Sequence, residues 1–230
     1  MESTMTRNLK VRFDSQIALC SALGVTATMT AATHQAEAFD YVYYQPNGSA
    51  GWVVPNTVDG LYVNVETRVS GTTGFSVPGW DVDVYTQSSQ LSFYRSATSG
   101  AFYMKYSAGD PNGTVGNLSV GTTVGASSSF SSTDINVAFF GPSAGQWKTN
   151  SANYFGFSFL GADSGRHYGW MRLDVGADYT IRTIKEVGYS TVIDQSVQIG
   201  TVPEPSTVIM GLLASGVTGV IAWRRKRKTA

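Results

Sequence analysis

Leu61-Tyr62-Val63-Asn64-Val65-Glu66-Thr67-Arg68-Val69 alternates apolar and polar residues. Side chains of an extended chain point to opposite faces with a period of two. Leu61, Val63, Val65, Thr67 and Val69 therefore share one face, and Tyr62, Asn64, Glu66 and Arg68 the other, so the stretch reads as one half-buried strand. The pattern returns in residues 80–85, 91–94 and 101–106, and further strand-like runs occupy 135–140, 154–160, 167–175, 181–189 and 197–199. Turn pairs separate them: Asn47-Gly48, Asp59-Gly60, Pro78-Gly79, Asn112-Gly113 and Ser164-Gly165. Gly, Ser, Thr and Val stand where a helix would need stronger helix formers. Roughly ten short strands with frequent turns predict an all-β fold, an antiparallel β-sandwich of jelly-roll type over residues 39–201. Residues 121–132, rich in Gly and Ser, are predicted to form a surface loop.

The chain carries 16 Lys and Arg against 16 Asp and Glu, but the charges are segregated. Basic residues cluster at Arg7, Lys10 and Arg12 and again at Arg224, Arg225, Lys226, Arg227 and Lys228. The region between is left mildly acidic, without the basic footprint that nucleic acid requires. Arg7, Lys10 and Arg12 precede an apolar stretch, 17–28, too short to span a bilayer. Small residues follow and end in Ala36-Glu37-Ala38. This order predicts a signal peptide over 1–38, cut by signal peptidase of the export machinery before Phe39. The one cysteine, Cys20, lies within that segment, so the mature chain would have neither disulfide nor thiolate metal site.

Residues 207–223 contain no charge. As an α-helix they would rise ~26 Å, near the lower limit for crossing a hydrocarbon core. Gly211, Ser215 and Gly219 form a small-residue face, Trp223 stands at the expected interface, and the basic residues 224–228 would remain on the cytoplasmic side. A single membrane helix is thus predicted, with the β body outside. Ahead of it, Val202-Pro203-Glu204-Pro205-Ser206 places two prolines one residue apart, which no helix or central strand accommodates. Such a segment is extended and open to a processing enzyme. Motif, short apolar stretch and basic cluster over 202–230 together resemble the PEP-CTERM sorting tail of bacterial proteins. That resemblance implies recognition of Pro203, Glu204 and Pro205 by exosortase, a membrane-embedded cysteine transpeptidase, and transfer or release of the body to the cell surface or extracellular matrix, often in exopolysaccharide producers.

A second resemblance covers the body's last strands. Phe155-Gly156-Phe157-Ser158-Phe159, His167-Tyr168-Gly169-Trp170-Met171-Arg172-Leu173 and Gly188-Tyr189 are similar to uncharacterised domains found ahead of such tails. The resemblance implies that a Phe-rich strand pairs with a Tyr-Gly-Trp strand.

Candidate chemistry is sparse. Asp81 and Asp83 share one strand face, with Asp59 and Glu66 upstream, and could flank a sugar. Their other reading is the solvent face of a strand whose Val82 and Val84 are buried. Trp80 and Trp170 are candidates for stacking on sugar rings, against the ordinary use of aromatics in a β core. His167 is the only histidine beyond the predicted signal, with Asp163 or Asp174 available to orient it, but no G-x-S-x-G elbow accompanies it. One His and no Cys cannot supply a usual zinc site. The expectation is a surface protein with a structural or interaction role, no enzyme, no cofactor and no metal. Binding of an exopolysaccharide is the alternative, and a glycan-active enzyme using Asp81, Asp83 or Glu66 is the third reading.

Overall fold

The computed structural model describes residues 40–87, 90–95 and 101–202. The predicted signal peptide with Ala36, Ala38 and Phe39 lies outside the described residues. So do Pro203, Glu204, Pro205 and Ser206, the predicted helix over 207–223 and the basic residues 224–228. Among the described residues no helix is long and apolar enough to cross a membrane.

Strands dominate: β1 (Tyr41–Tyr44), β2 (Trp52–Val53), β3 (Leu61–Asn64), β4 (Val69–Gly71), β5 (Val82–Gln87), β6 (Gln90–Tyr94), β7 (Phe102–Tyr103), β8 (Thr123–Val124), β9 (Ile135–Val137), β10 (Ser151–Leu160), β11 (Arg166–Val175), β12 (Arg182–Ser190) and β13 (Val197–Gln198). The only helical pieces described are the short 3-10 turns Gly48–Ala50 and Gly74–Ser76. A first sheet runs β1-β12-β11-β10-β7, with β2 also on β12, and a second runs β4-β3-β5-β6-β9. A third, β8-β13, has two strands. All pairings between these strands are antiparallel. Strands β10, β11 and β12 lie side by side in chain order, as do β5 and β6. This is meander connectivity, whereas the expected jelly roll is built from Greek keys.

The core follows from the period of two. Phe155, Phe157 and Phe159 project from one face of β10 and meet Val63, Val82, Val84, Leu91 and Phe93 of the second sheet in one shared cluster. Phe93 sits 5.1 Å from Phe155 and 5.5 Å from Trp147, whose indole N–H donates to the Val115 carbonyl at 2.8 Å. Burying each such ring contributes about 1.5–3 kcal/mol. The opposite face of the first sheet is covered too. Tyr168 and Trp170 of β11 pack with Met104, Leu118, Val124, Val197 and Ile199 in a second cluster beneath β8 and β13. The described residues thus stack in three layers, with the first sheet in the middle. Residues 121–132, expected as a loop, contribute β8 and the buried Val124 to this cover.

The Phe-rich strand does pair with the Tyr-Gly-Trp strand: Phe155 is opposite Met171, Gly156 opposite Trp170 and Phe157 opposite Gly169. The stretch 61–69 differs from its expectation. The strand stops at Asn64, whose carboxamide oxygen accepts the Thr67 N–H at 2.9 Å. Arg68 takes a left-handed φ of 59°, and β4 returns beside β3. A hairpin replaces one long strand because an Asn side chain offers the backbone a local turn partner. Thr67 and Val69 consequently face solvent.

Candidate ligand-binding face

On the outer face of the second sheet, Asp83 is directly opposite Tyr62 on one side and Tyr94 on the other. Val82 and Val84 take the inner face, so alternation alone turns Asp83 outward. Trp80 precedes the strand and lies across both tyrosines, 5.0 Å from Tyr62 and 6.0 Å from Tyr94. This aromatic roof leaves Asp83 only 2% exposed, and its Oδ1 has no hydrogen-bond partner. Burial, with a smaller repulsion from Asp59, pushes its carboxyl up to about 8. A buried carboxyl without a cation evades the cost of charge by keeping its proton.

Asp81 is 3% exposed, and its Oδ2 accepts the Val65 N–H at 2.8 Å. Burial pushes it up to about 7; the Val65 hydrogen bond opposes this and the charge of Glu66 adds to it. Glu66, brought to this side by the hairpin turn, accepts the Ala162 N–H at 2.9 Å through Oε2. One carboxylate thereby ties the β3–β4 turn to the β10–β11 turn. Trp80, Asp81, Glu66 and Asn64 line one open cavity of about 470 Å³ between these turns. That volume is within the range of small-ligand pockets. The cavity thus brings a buried carboxyl, an exposed acidic side chain and an indole together.

The structure brings Trp80, Asp81 and Asp83 together and sets Trp170 elsewhere. Trp170 is buried in the second cluster, flanked by Tyr43 at 6.3 Å and Tyr154 at 6.0 Å. Its indole N–H donates to the Tyr41 hydroxyl at 2.8 Å, and that hydroxyl donates to the Thr201 carbonyl at 2.7 Å. Gly188, opposite Trp170, leaves the room: a Cβ there would lie 2.0 Å from the Tyr41 hydroxyl and 2.6 Å from the indole nitrogen.

His167 is buried and meets Asp163 through Nε2 at 3.0 Å and the Ser190 carbonyl through Nδ1 at 3.0 Å. Both ring nitrogens are thus engaged by acceptors, and neither bonds a serine hydroxyl. Hydrogen bonding to His167 holds the Asp163 carboxyl below its ordinary value. Asp174 instead forms a two-point pair with Arg172, at 2.8 and 3.1 Å, while Arg172 also reaches Glu186 at 2.9 Å. Among the described residues no group of three or more His, Cys, Asp or Glu could hold a metal ion. The sequence alone did not show that Glu66 and Ala162 meet, because the two turns are far apart along the chain.

No curated protein and no solved structure matches the chain. One family model does, over residues 201–227, and its first residue is Thr201, the last whose carbonyl is tied to the body by Tyr41. The chain carries a PEP-CTERM protein-sorting motif at residues 201–227, joined to a β-rich body.

Proposed function

We propose that this is an exported protein of the cell surface or extracellular matrix, whose body is a β-sandwich with a structural or interaction role. The signal peptide is removed before Phe39, residues 207–223 hold the chain in the membrane, and an exosortase-type transpeptidase acts at Val202 to Ser206. The observation that carries this reading is the sorting motif at 201–227, which begins where the folded body ends. In the sequence the motif follows the last described strand, Val197–Gln198, so its two prolines interrupt no described strand. The body is assigned no catalytic role. The test is the intact mass of the protein in surface and medium fractions of its host. A body beginning at Phe39 and lacking 224–228 is expected; a chain still ending at Ala230 in the membrane fraction would overturn the processing.

The cavity beside Trp80 favours a second reading, an extracellular polysaccharide-binding module. It rests on the half-buried indole beside Asn64, Glu66 and Asp81. A polysaccharide pull-down decides it: retention lost in Trp80→Ala and kept in Phe75→Ala supports binding, and no retention of the unaltered chain on any glycan removes it.

A further inference from the structure

We propose that the β8–β13 face of the body lies against the lipid surface while the tail is in the membrane, so that the Trp80 face points away from it. The inference rests on membrane anchoring through 207–223.

The exit of the chain comes first. Ile199 is buried in the second cluster, donates its N–H to the Thr122 carbonyl at 3.0 Å and accepts the Gly121 N–H at 2.9 Å. The Tyr41 hydroxyl then holds the Thr201 carbonyl. Val202 therefore leaves from the outermost β8–β13 layer. Reach comes second. Residues 203–206 alone separate Val202 from the uncharged stretch 207–223. A fully extended chain advances at most ~3.5 Å per residue, so this face cannot stand more than about 20 Å from where that stretch begins.

Charge comes third. The sequence has no ionisable residue between Asp110 and Asp134 and none between Asp194 and Glu204, although acidic residues outnumber basic ones across the body. Both uncharged segments meet at β8 and β13. Asp40, Lys105 and Arg166 mark the border of this surface: Asp40 and Gln198 line one small cavity, the Lys105 N–H bonds the Ser129 carbonyl, and Arg166 lines another cavity with Ala126 and Ser132. Anionic headgroups repel carboxylates, and pressing an ion against lipid strips its water. A Ser-, Thr- and Gln-rich surface incurs neither cost. Val120, 63% exposed, and Val202, 51% exposed, are the apolar residues it presents. They flank the exit, for a Cβ on Gly200 would come within 2.8 Å of Val120. The middle layer separates this face from the second sheet, where Trp80 and Asp83 are presented on the far side.

The test uses the full chain with Cys20→Ser and one added cysteine, Val120→Cys or Phe75→Cys, each bearing a fluorophore. Phe75 is fully exposed and follows Gly74, which packs against Trp80 and Tyr62. Both proteins are reconstituted into phosphatidylcholine–phosphatidylglycerol vesicles containing a lipid with a spin-labelled headgroup. Quenching several-fold stronger at position 120 than at 75 is expected. Flotation with the vesicles together with equal quenching, or stronger quenching at 75, overturns the orientation while leaving the anchoring reading intact. Failure to float with vesicles overturns the anchoring reading and the orientation with it.

Discussion

The first sheet and the second sheet contribute to one core but treat their other faces differently. The first is covered by β8 and β13, and polar groups on that face are paired, while Arg182 at the start of β12 keeps a buried Nε without a partner. Trp170 donates to Tyr41, Arg172 binds two carboxylates and His167 meets two acceptors. The second has no sheet over its outer face among the described residues, and there Trp80 alone roofs a carboxyl whose Oδ1 is unpartnered. Paired groups stabilise a fold, whereas a buried group held away from its ordinary protonation state costs stability. The first sheet thus joins both core clusters, while the outer face of the second carries a carboxyl raised by burial.

Substitutions can break or sharpen that division. Phe157→Ala, in the face both sheets share, is expected to cost about 3–5 kcal/mol in urea unfolding. Val69→Ala, exposed on the second sheet, should stay within about 0.5 kcal/mol. Comparable losses for the two would contradict the shared core.

The pH dependence comes next. Asp81 and Asp83 are raised to about 7 and about 8 from an ordinary 3.8. Between those values the folded chain binds more protons than the unfolded chain, so stability is highest at acid pH and is lost as pH rises through 7 and 8. Asp83→Asn cannot ionise and should be more stable than the parent at pH 9 by several kcal/mol, with little difference at pH 4. Thermal melts across this range check it. A parent more stable at pH 9 than at pH 5 would show that these carboxyls are ionised and paired after all.

Tyr41→Phe removes one donor to Thr201 and the acceptor of Trp170, for an expected loss of about 1–2 kcal/mol. It should also raise proteolytic cutting around residue 201 in a timed digest. A smaller loss is expected for Glu66→Ala, which frees the Ala162 amide at the surface and should cost about 0.5–1 kcal/mol. The same change should weaken any glycan retention that Trp80→Ala abolishes. Retention unaltered by Glu66→Ala would confine the site to the aromatic roof.

Much of the β architecture could be read from local pattern. Phe155, Phe157 and Phe159 announce a strand because an extended chain puts every second residue on one face. Where reading stopped short, the cause lies in partners distant in sequence. Tyr41 to Tyr44 shows no alternation and becomes a strand because β12 offers its edge. Ile184 and Val187, three residues apart, both face the core because the register shifts opposite Arg172 and Leu173, which strict alternation does not anticipate. The proximity of Trp80, Asp81 and Asp83 was legible because they adjoin along the chain. Glu66 joined them only through the Asn64 turn, and Trp170 left them because it belongs to a second core.

By itself the sequence determined the all-β character of the body, the outward placement of Asp83 and the sorting motif at 201–227. Each depends on residues close together along the chain: a period of two, or two prolines and a glutamate beside an uncharged stretch. Only the tertiary structure decided that the body has three layers, that Glu66 and Asp81 share a cavity and that the chain leaves from the β8–β13 face. Those features depend on which strand edges and turns meet across long separations, and that is set by the burial of all the apolar faces at once.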